Sequence, residues 1–520
     1  MVADPDHVDV VIVGGGHNGL VAAAYLARAG LRVRLLERLA QVGGAAVSAQ
    51  IFSRVDARLS RYAYLVSLLP ARIVDDLGAA VRLARRPYSS YTPDPATSGR
   101  TGLLVGPDST FGAVGAHADE RAFAAFYRRC RLVTARLWPT LLEPLRTREQ
   151  ARQEVVDGGG RQAAAAWQAM VDRPIGQAVA DAIANDLVRG VVATDALIGT
   201  FARLDDPSLQ QNVCFLYHLI GGGIGEWHVP VGGMGAVSAA LAAAAVGGGA
   251  EIITGAEVYA IDPSGKVSYR RDDEEHAVRG RFVLSGVTPA VLAGLLGEQS
   301  PASAQGAQVK VNMVLRRLPR LRDGGVTPEQ AFGGTLHVNE TWTQLDTAYS
   351  RAAANVLPDP LPCEIYCHSL TDPSILSPAL RESGAATLTV FGLHTPHELS
   401  APREQLTESV LASLNSVLAE PIQDMVMDDA NGLPCIETTT TRDLEHALGM
   451  TGGNIFHGAL RWPFADDDDP LDTPARQWGV ATAHERILLC GAGARRGGAV
   501  SGIGGHNAAM AVLATTGEQT

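Results

Sequence analysis

The clearest pattern of hydrophobic and polar positions lies near the start of the chain. The apolar run 9–13 (DVVIV) predicts a short buried strand, and residues 32–36 predict a second strand. Between them, residues 20–29 predict a helix with small side chains on one side, which Gly30 ends. Together these segments predict a βαβ unit, in which a helix connects two parallel strands.

Glycines occupy the turn between the first strand and the helix in the spacing G-x-G-x-x-G. Gly14 allows a tight turn, Gly16 lets the backbone approach a pyrophosphate, and Gly19 lets the helix pack on the strand. The helix N-terminus offers free N–H groups to phosphates. Glu37 ends the second strand, where its carboxylate accepts hydrogen bonds from ribose hydroxyls. This context favours a dinucleotide site over a glycine-rich turn in an ordinary α/β protein.

The motif continues beyond Glu37 with a second pair of glycines. This extension resembles the fingerprint of glutathione-reductase-type FAD proteins, in which a diglycine loop passes close to the pyrophosphate and the flavin edge. Dehydrogenases that bind only NAD lack the diglycine, so the resemblance implies FAD as the cofactor. The predicted cofactor contacts in this region are Gly14, Gly16, His17, Asn18, Gly19, Glu37, Arg38, Gly43, Gly44 and Ala45.

A second glycine-rich segment lies near the C-terminus, after a predicted strand at residues 486–490. Fewer than thirty residues follow Gly493, which is too few for a second βαβ unit of about 30 residues, so a separate NADPH fold is disfavoured. We interpret the segment as the last strand of the same FAD domain, with a helix N-terminus near the flavin. A glycine-rich structural cap is the alternative. The predicted contacts are Gly491, Gly493, Gly498, Ala499 and Asn507.

Several stretches resemble the phytoene-dehydrogenase-like branch of the amine-oxidase-type FAD proteins, most closely the group named for a pyridine nucleotide-disulfide oxidoreductase domain. The resemblance implies a flavoenzyme that desaturates, reduces, cyclises or isomerises C–C or C=C bonds of a polyene or isoprenoid-like substrate. It also implies that the strand around Val258 contacts the adenine through its backbone. The stretches are GGGHNGL (14–20), SRYAYLVSLLP (60–70), VGGMGAVSAAL (231–241), GGNIFHGAL (452–460) and the block 491–507.

Lys310 is one of only two lysines in the chain and lies within residues 308–315, where alternation predicts a strand. Lys310 and Asn312 are expected on one face and the apolar residues on the other. Monoamine-oxidase-type flavoenzymes place a lysine on the matching strand, bridged by water to the flavin, so the resemblance implies that Lys310 relays a proton or holds a water. The alternative is a lysine whose stem lines a wall and whose amine reaches solvent or a carboxylate.

Three histidines lie in motifs near the predicted flavin site: His17, His457 and His506. Imidazole titrates near ~6.5, so each could act as a general acid or base, but a structural role is favoured for each. Asp195 and Tyr62 are candidate pocket residues that the sequence does not place. The sequence contains no G-x-S-x-G elbow, H-E-x-x-H helix or P-loop lysine, which weakens hydrolase, metalloprotease and NTPase interpretations.

Composition and charge narrow the remaining classes. The formal net charge of −12 argues against a nucleic-acid partner. The acidic N-terminus and the lack of a run of eighteen apolar residues predict neither a signal peptide nor a membrane span, so a cytoplasmic protein is expected. The six cysteines are scattered without a C-x-x-C pair. They are therefore expected to be reduced core residues, with no metal site.

At 520 residues the chain exceeds the ~250–300 residues of a single core, so more than one domain is expected. The predicted fold class is α/β: a Rossmann-type FAD-binding domain of the glutathione-reductase type with an inserted mixed α+β substrate domain. The FAD-binding domain is assigned to residues 1–70, 220–300 and 445–520. The substrate domain is assigned to residues 71–219 and 301–444.

Three functions compete at this point. The first is an FAD-dependent oxidoreductase acting on a hydrophobic small molecule, with contact to membranes and a homo-oligomeric state left open. The second is a flavin amine oxidase, which ranks lower because aromatic residues make up only 5% of the chain and no aromatic cage can be assigned. The third is a flavin-bound regulatory protein without turnover.

Overall fold

The computed structural model describes residues 7–302 and 304–517, and two seven-stranded sheets organise it. The strands, in chain order, are β1 (His7–Val13), β2 (Val33–Leu36), β3 (Ser48–Gln50), β4 (Arg58–Ser60), β5 (Leu83–Arg85), β6 (Ser90–Pro93), β7 (Gly102–Val105), β8 (His228–Pro230), β9 (Glu251–Ile253), β10 (Glu257–Ile261), β11 (Lys266–Arg271), β12 (Glu274–Ser285), β13 (Gln308–Leu315), β14 (Thr335–Val338), β15 (Cys363–Tyr366), β16 (Ala386–Leu393), β17 (Ile436–Thr439) and β18 (Ile487–Leu489). The α-helices are α1 (His17–Arg28), α2 (Ala71–Leu77), α3 (His117–Thr140), α4 (Arg148–Trp167), α5 (Ile175–Ala182), α6 (Asp186–Ala193), α7 (Gln210–Ile220), α8 (Met234–Gly247), α9 (Pro289–Leu296), α10 (Pro328–Phe332), α11 (Trp342–Ala353), α12 (His368–Thr371), α13 (Pro378–Glu382), α14 (Arg403–Asn415), α15 (Ile422–Met425), α16 (Thr441–Leu448), α17 (Pro474–Gln477) and α18 (Ile503–Thr516).

The first sheet contains the βαβ unit that the sequence predicts. Strands β1 and β2 are parallel, with Val10 opposite Val33 and Val13 opposite Leu36, and α1 connects them. The parallel strands follow the order β18-β12-β1-β2-β9, and β10 and β11 add an antiparallel extension along β12. The apolar run of β1 is buried because strands inside a parallel sheet are covered on both faces.

Small residues let helix α1 pack closely against its neighbours. The three alanines at 22–24 are fully buried in the same core as β1, β2, α8 and α18. A side chain at Gly19 would collide with the Gly14 carbonyl, and one at Gly505 in α18 would collide with the Asn18 carbonyl. Glycine at these two positions therefore allows the turn, α1 and α18 to come into direct backbone contact.

The second sheet follows the order β17-β13-β16-β15-β14-β6-β7 and is antiparallel except for the pair β14 and β6. The strand predicted at residues 308–315 is confirmed as β13, and all of its residues are buried. Val309, Val311 and Met313 belong to an apolar core. Lys310 and Asn312 instead bond to the segment at residues 60–62 on the other face, so the predicted alternation is confirmed.

Segments of the two sheets alternate along the chain. The first sheet uses residues 7–36, 251–285 and 487–489, and the second uses residues 90–105 and 308–439. This alternation is expected if the cofactor domain is assembled from separate segments of the chain. The domain boundaries themselves stay a prediction. Helices α3 to α7 form most of the segment between β7 and β8.

Two features of the composition have structural counterparts. All six cysteines are buried and unpaired, which confirms the prediction of reduced core cysteines. Within residues 7–302 and 304–517, no helix combines the length and the hydropathy needed to cross a bilayer.

Arg496 connects the C-terminal glycine-rich loop to the helical segment. Its guanidinium is 1% exposed and donates to the carbonyls of Thr140, Glu143 and Trp478 at 2.9, 2.7 and 3.0 Å. Burial lowers the pKa of Arg496 to about 10, which leaves it charged at neutral pH. Thr140 ends α3, whose last carbonyls lack intrahelical partners and attract a cation.

We expect Arg496→Met to lower the thermal unfolding midpoint by several degrees. The substitution leaves the Glu143 and Trp478 carbonyls without the Arg496 donor, whereas the Thr140 carbonyl keeps the Glu143 N–H, and each buried unsatisfied group costs about 1–3 kcal/mol. Arg476→Met is the matched control, because Arg476 is half exposed and pairs only with Asp472, an interaction worth about 0–1 kcal/mol. Equal melting curves for the two variants would show that Arg496 does not secure the loop.

Candidate functional site

A single cavity of about 1320 Å³ extends from the glycine-rich turn of the first sheet to the face of the second sheet. At one end it is lined by the turn between β1 and α1, the end of β2 and the C-terminal loop. At the other end it is lined by side chains of β13 to β17 and of helices α3, α6 and α7. This volume exceeds the ~300–1,000 Å³ of common small-molecule sites, so it has room for a cofactor and a second molecule.

The turn between β1 and α1 provides the features that a pyrophosphate needs. Gly16 precedes α1, and a Cβ atom added to Gly16 would meet no protein atom within 4 Å. The N–H groups of the first helical turn have no intrahelical acceptors and attract anions. The Asn18 side-chain oxygen is buried without a hydrogen-bond partner. The turn thus combines open space with helix N–H groups and an Asn18 side-chain oxygen that have no hydrogen-bond partner within the protein.

The diglycine is needed because its loop runs directly against the turn. The Gly43 N–H donates to the Gly15 carbonyl at 2.8 Å. A Cβ at Gly44 would lie 3.1 Å from the Gly16 Cα, and the positive φ of +58° at Gly44 also favours glycine. Ala45 follows on the cavity wall. The diglycine therefore lets two backbone segments approach one another beside the cavity.

Glu37 holds these two segments together while it lines the cavity. One carboxylate oxygen accepts from the Gly15 N–H at 2.7 Å and the other from the Leu39 N–H at 2.8 Å. Each oxygen keeps a further lone pair, so the carboxylate can also accept from ribose hydroxyls. Arg38 lines the same end and donates to the Ala447 carbonyl at 2.7 Å. Val258 on β10 lies at this end as well.

The C-terminal loop forms the facing wall. Gly498 and Ala499 line the cavity, and Ala499 adopts a positive φ of 59° that is unusual for a residue with a side chain. The Ala499 carbonyl lies 3.1 Å from the His17 Nε2. Burial lowers the pKa of His17 and of His457 to about 4, so both rings are neutral at pH 7. His457 Nδ1 is buried without a partner.

Four predicted cofactor contacts lie behind the cavity wall instead of on it: Gly43, Gly491, Gly493 and Asn507. A Cβ at Gly491 would come within 2.6 Å of the Gly286 carbonyl, and one at Gly493 within 2.8 Å of Pro289. These glycines permit close packing beneath the site. Asn507 is fully buried and donates to the Leu141 carbonyl at 3.2 Å, so its position is structural.

His506 is also structural. Its ring packs edge-on against Tyr25 and Trp478, with centroids 5.1 and 5.9 Å away. Its Nδ1 lies 2.9 Å from the Asn507 side-chain oxygen. Of the three histidines considered from the sequence, only His17 and His457 are on the cavity wall.

The second sheet presents one row of side chains to the cavity. In the strand register, His337 on β14 is opposite Glu364 on β15, followed by Phe391 on β16, Lys310 on β13 and Thr439 on β17. All five line the cavity. The row therefore forms a floor across five strands, with polar groups at both sides of Phe391.

Lys310 reaches neither solvent nor a carboxylate. Its ammonium donates to the carbonyls of Ser60 and Tyr62 at 2.6 and 3.0 Å and lies 5.4 Å from the centre of the Phe391 ring. Burial lowers its pKa to about 7, and Glu437 offsets part of that shift. Lys310 is therefore a group that can gain or lose a proton near neutral pH at the cavity wall.

Aromatic residues gather beside Lys310 although the chain contains few of them. The rings of Tyr64 and Tyr366 lie 4.7 Å apart, and the Tyr366 ring lies 6.0 Å from Phe391. Tyr62 also lines the cavity. The sequence does not reveal this aromatic group, because its members come from β15, β16 and the segment before α2 and meet only in the fold.

A buried group of acids beyond Phe391 was also missed. The Glu364 carboxylate accepts from the hydroxyls of Tyr366 at 2.5 Å and Thr194 at 3.2 Å. Glu340 lies 2.8 Å from His337 Nδ1. Burial raises the pKa of Glu340 to about 8 and that of Glu364 to about 7, and burial also raises the pKa of Asp195.

The sequence marks this group in the same way as Lys310, by a charged or titratable residue within a mostly apolar strand. His337 is the one histidine or acid in the strand TLHV, and Glu364 is the one histidine or acid in CEIY. Asp195, a candidate that the sequence could not place, lies on the cavity wall. Among the residues the structure describes, His337, Glu340 and Glu364 are the group whose donor atoms could hold a metal ion. The sequence predicted no metal site, because that expectation rested on the cysteines alone.

The helical segment supplies the apolar part of the wall. These side chains reach the cavity from α3, α6, α7 and the turn after α6: Phe123, Tyr127, Val191, Ile198, Tyr217 and Leu219. Arginines 85, 128 and 131 line the cavity as well. The cavity thus has a polar end at the cofactor loops, a mixed floor and an apolar side.

Comparison with known proteins agrees with this arrangement. Residues 12–70 match the family model of the NAD(P)-binding Rossmann-like domain. The chain is 74% identical to the Mycobacterium tuberculosis protein Rv0897c over 518 residues, which covers 97% of both chains. It is 30% identical to the rat pyridine nucleotide-disulfide oxidoreductase domain-containing protein 2 over 562 residues, which covers 97% of this chain and 93% of the rat protein.

Solved structures share the fold across the whole chain. Putrescine oxidase bound to putrescine superposes with a TM-score of 0.57 at 16% identity and covers 98% of this chain and 99% of its own. The family model confirms the dinucleotide-binding turn, and the likeness to putrescine oxidase shows the shared fold. The chain therefore belongs to the pyridine nucleotide-disulfide oxidoreductase domain-containing group of oxidoreductases.

Proposed function

We propose that this oxidoreductase removes hydrogen from, or moves a double bond within, the carbon skeleton of an elongated hydrophobic substrate. The observation that carries the proposal is the continuous cavity, which leads from the cofactor loops past Lys310 to the apolar wall of the helical segment. Such a wall binds hydrocarbon by removing it from water, at about 25 cal/mol per Å² of apolar surface. A polar substrate would gain little binding free energy from contact with this apolar wall.

The residues around the cavity have separable roles in this proposal. Bound FAD supplies the electron-accepting chemistry, and the protein orients the substrate and excludes water. Desaturation of a C–C bond removes one hydrogen with its electron pair, which the bound cofactor would accept, and the other as a proton, which an unprotonated base must accept. Lys310 is suited to this task because its pKa of about 7 leaves much of it unprotonated at neutral pH. The Ser60 and Tyr62 carbonyls hold its amine in place.

Amine oxidation is the second candidate, and specific observations favour it. Tyr64 and Tyr366 lie side by side on the cavity wall, where their ring faces can attract a cation. Asp195 and Glu364 add buried acids that a bound cation would help to ionise. The solved structure of putrescine oxidase shares the fold, although at 16% identity the likeness does not extend to a substrate.

We expect anaerobic addition of long isoprenoids or polyenes to bleach the flavin band near ~450 nm in the purified holoprotein, and a panel of amines to leave it unchanged. Val191→Trp narrows the apolar side of the cavity and should slow bleaching by long substrates more than by short ones. Bleaching by amines alone would reject the proposal and select the second candidate.

The role of Lys310 predicts a pH dependence. The rate of flavin bleaching should rise as the pH increases through about 7, because Lys310 then loses its proton and can accept one. Lys310→Met should lower this rate by about 10²–10⁴-fold and remove the ionisation from the profile. Lys266→Met is the matched control, because the only other lysine of the chain is exposed on β11. An unchanged profile in Lys310→Met would exclude Lys310 as the base.

The open space at Gly16 provides a test of the cofactor site that needs no substrate. A Cβ there meets no protein atom, so Gly16→Ala should fold normally but place its methyl group where the pyrophosphate approaches the backbone. We expect its FAD affinity to fall by about tenfold or more, while the two apoproteins melt alike. Gly247→Ala, an exposed position with equally open surroundings, should retain FAD. Full FAD retention by Gly16→Ala would place the pyrophosphate elsewhere.

A further inference from the structure

Three side chains converge at and just behind the cavity wall, on the side of Phe391 away from Lys310. His337 and Glu364 face each other across β14 and β15, and Glu340 lies just beyond the end of β14. One donor atom from each of the three lies within 4.8 Å of the other two. The residues are 5%, 2% and 1% exposed, so water cannot replace the contacts that they make with one another.

The acids of this cluster lack sufficient positive charge. Glu340 has one carboxylate oxygen at hydrogen-bond distance from the His337 ring, and its other oxygen, Oε1, is buried and receives no hydrogen bond, because the nearby Thr194 hydroxyl donates to Glu364 instead. Asp195 adds a third carboxyl group nearby, which the charges of Glu364 and Glu340 influence. Arg86, a cation whose charge acts on Asp195 and His337, donates to the Thr335 hydroxyl at 2.9 Å and lies over the Tyr366 ring.

Burying carboxyl groups in this way costs several kcal/mol for each charge unless a cation or a proton compensates. A histidine nitrogen together with carboxylate oxygens is a ligand set for Mn²⁺, Fe²⁺ or Zn²⁺, with bonds of about 2.0–2.2 Å for zinc. At such lengths, the ligands of a tetrahedral ion are about 3.4 Å apart, so modest side-chain movements would close the observed group around one ion.

We propose that His337, Glu340 and Glu364 bind a single divalent transition-metal ion. The unpartnered Glu340 oxygen favours a metal over the ammonium group of a bound molecule. Glu340 is not part of the cavity wall, so a bare ion can reach its buried oxygen but an ammonium group attached to a carbon chain cannot. His337 and Glu364 do line the cavity, which gives the ion a route of entry. The proposal is independent of the identity of the substrate.

The test uses the FAD-loaded full-length protein after dialysis against EDTA and then metal-free buffer. Calorimetric titration with Mn²⁺ and, separately, with Zn²⁺ should show one site, and the low-temperature electron paramagnetic resonance spectrum of Mn²⁺ should change on binding. Metal should also raise the thermal unfolding midpoint of the wild-type protein, because it binds only the folded state. This last measurement needs no variant.

Glu364→Gln and Glu340→Gln keep the size of each side chain but remove a ligand charge, and each should weaken metal binding by at least about tenfold. Glu420→Gln is the matched control, because Arg317 and Arg320 already pair with that carboxylate. FAD absorbance verifies that each variant is folded. The proposal is wrong if wild-type protein binds neither ion at one site, or if the two cluster variants bind as tightly as Glu420→Gln. It is equally wrong if putrescine displaces the ion, since the cluster would then be an ammonium site.

Discussion

The structure depends on direct contact between backbone segments around the turn that follows β1. Gly19 lets α1 begin against the carbonyl of Gly14, and Gly505 lets α18 cross α1 at the Asn18 carbonyl. The loop containing Gly44 then approaches the same turn. Any side chain at these positions would separate the segments and open the cofactor end of the cavity. Glu37 completes the arrangement, because its carboxylate binds the N–H groups of both segments.

Buried polar groups distinguish the second sheet from an ordinary structural layer. An amine or carboxyl group inside a sheet is costly unless partners satisfy it. Lys310 finds two carbonyls, whereas Glu340 retains an oxygen without a partner. The row that contains His337, Glu364, Phe391 and Lys310 thus places a proton-exchanging group and an acidic cluster on the same cavity floor. We interpret the unfavourable burial of these polar groups as a sign that the cavity floor takes part in binding and catalysis.

Much of the cofactor end was predictable because it is built from local sequence. The strand, turn and helix at the N-terminus are contiguous, and the spacing of the glycines has one physical explanation. The strand at 308–315 was also predictable, because its alternation is a local property. The prediction was less successful for Asn507, Gly491 and Gly493. Their positions behind the wall depend on how α18 and the C-terminal loop pack against distant segments.

The sequence by itself therefore determined the dinucleotide-binding βαβ unit and the position of one unusual lysine within a strand. These are properties of neighbouring residues, and periodicity and spacing report them directly. Only the tertiary structure decided which side chains share the cavity. His337, Glu364 and Phe391 come from separate strands, and the register of β14 to β16 brings them together. Strand pairing over long separations depends on the packing of the whole chain, which no local pattern encodes.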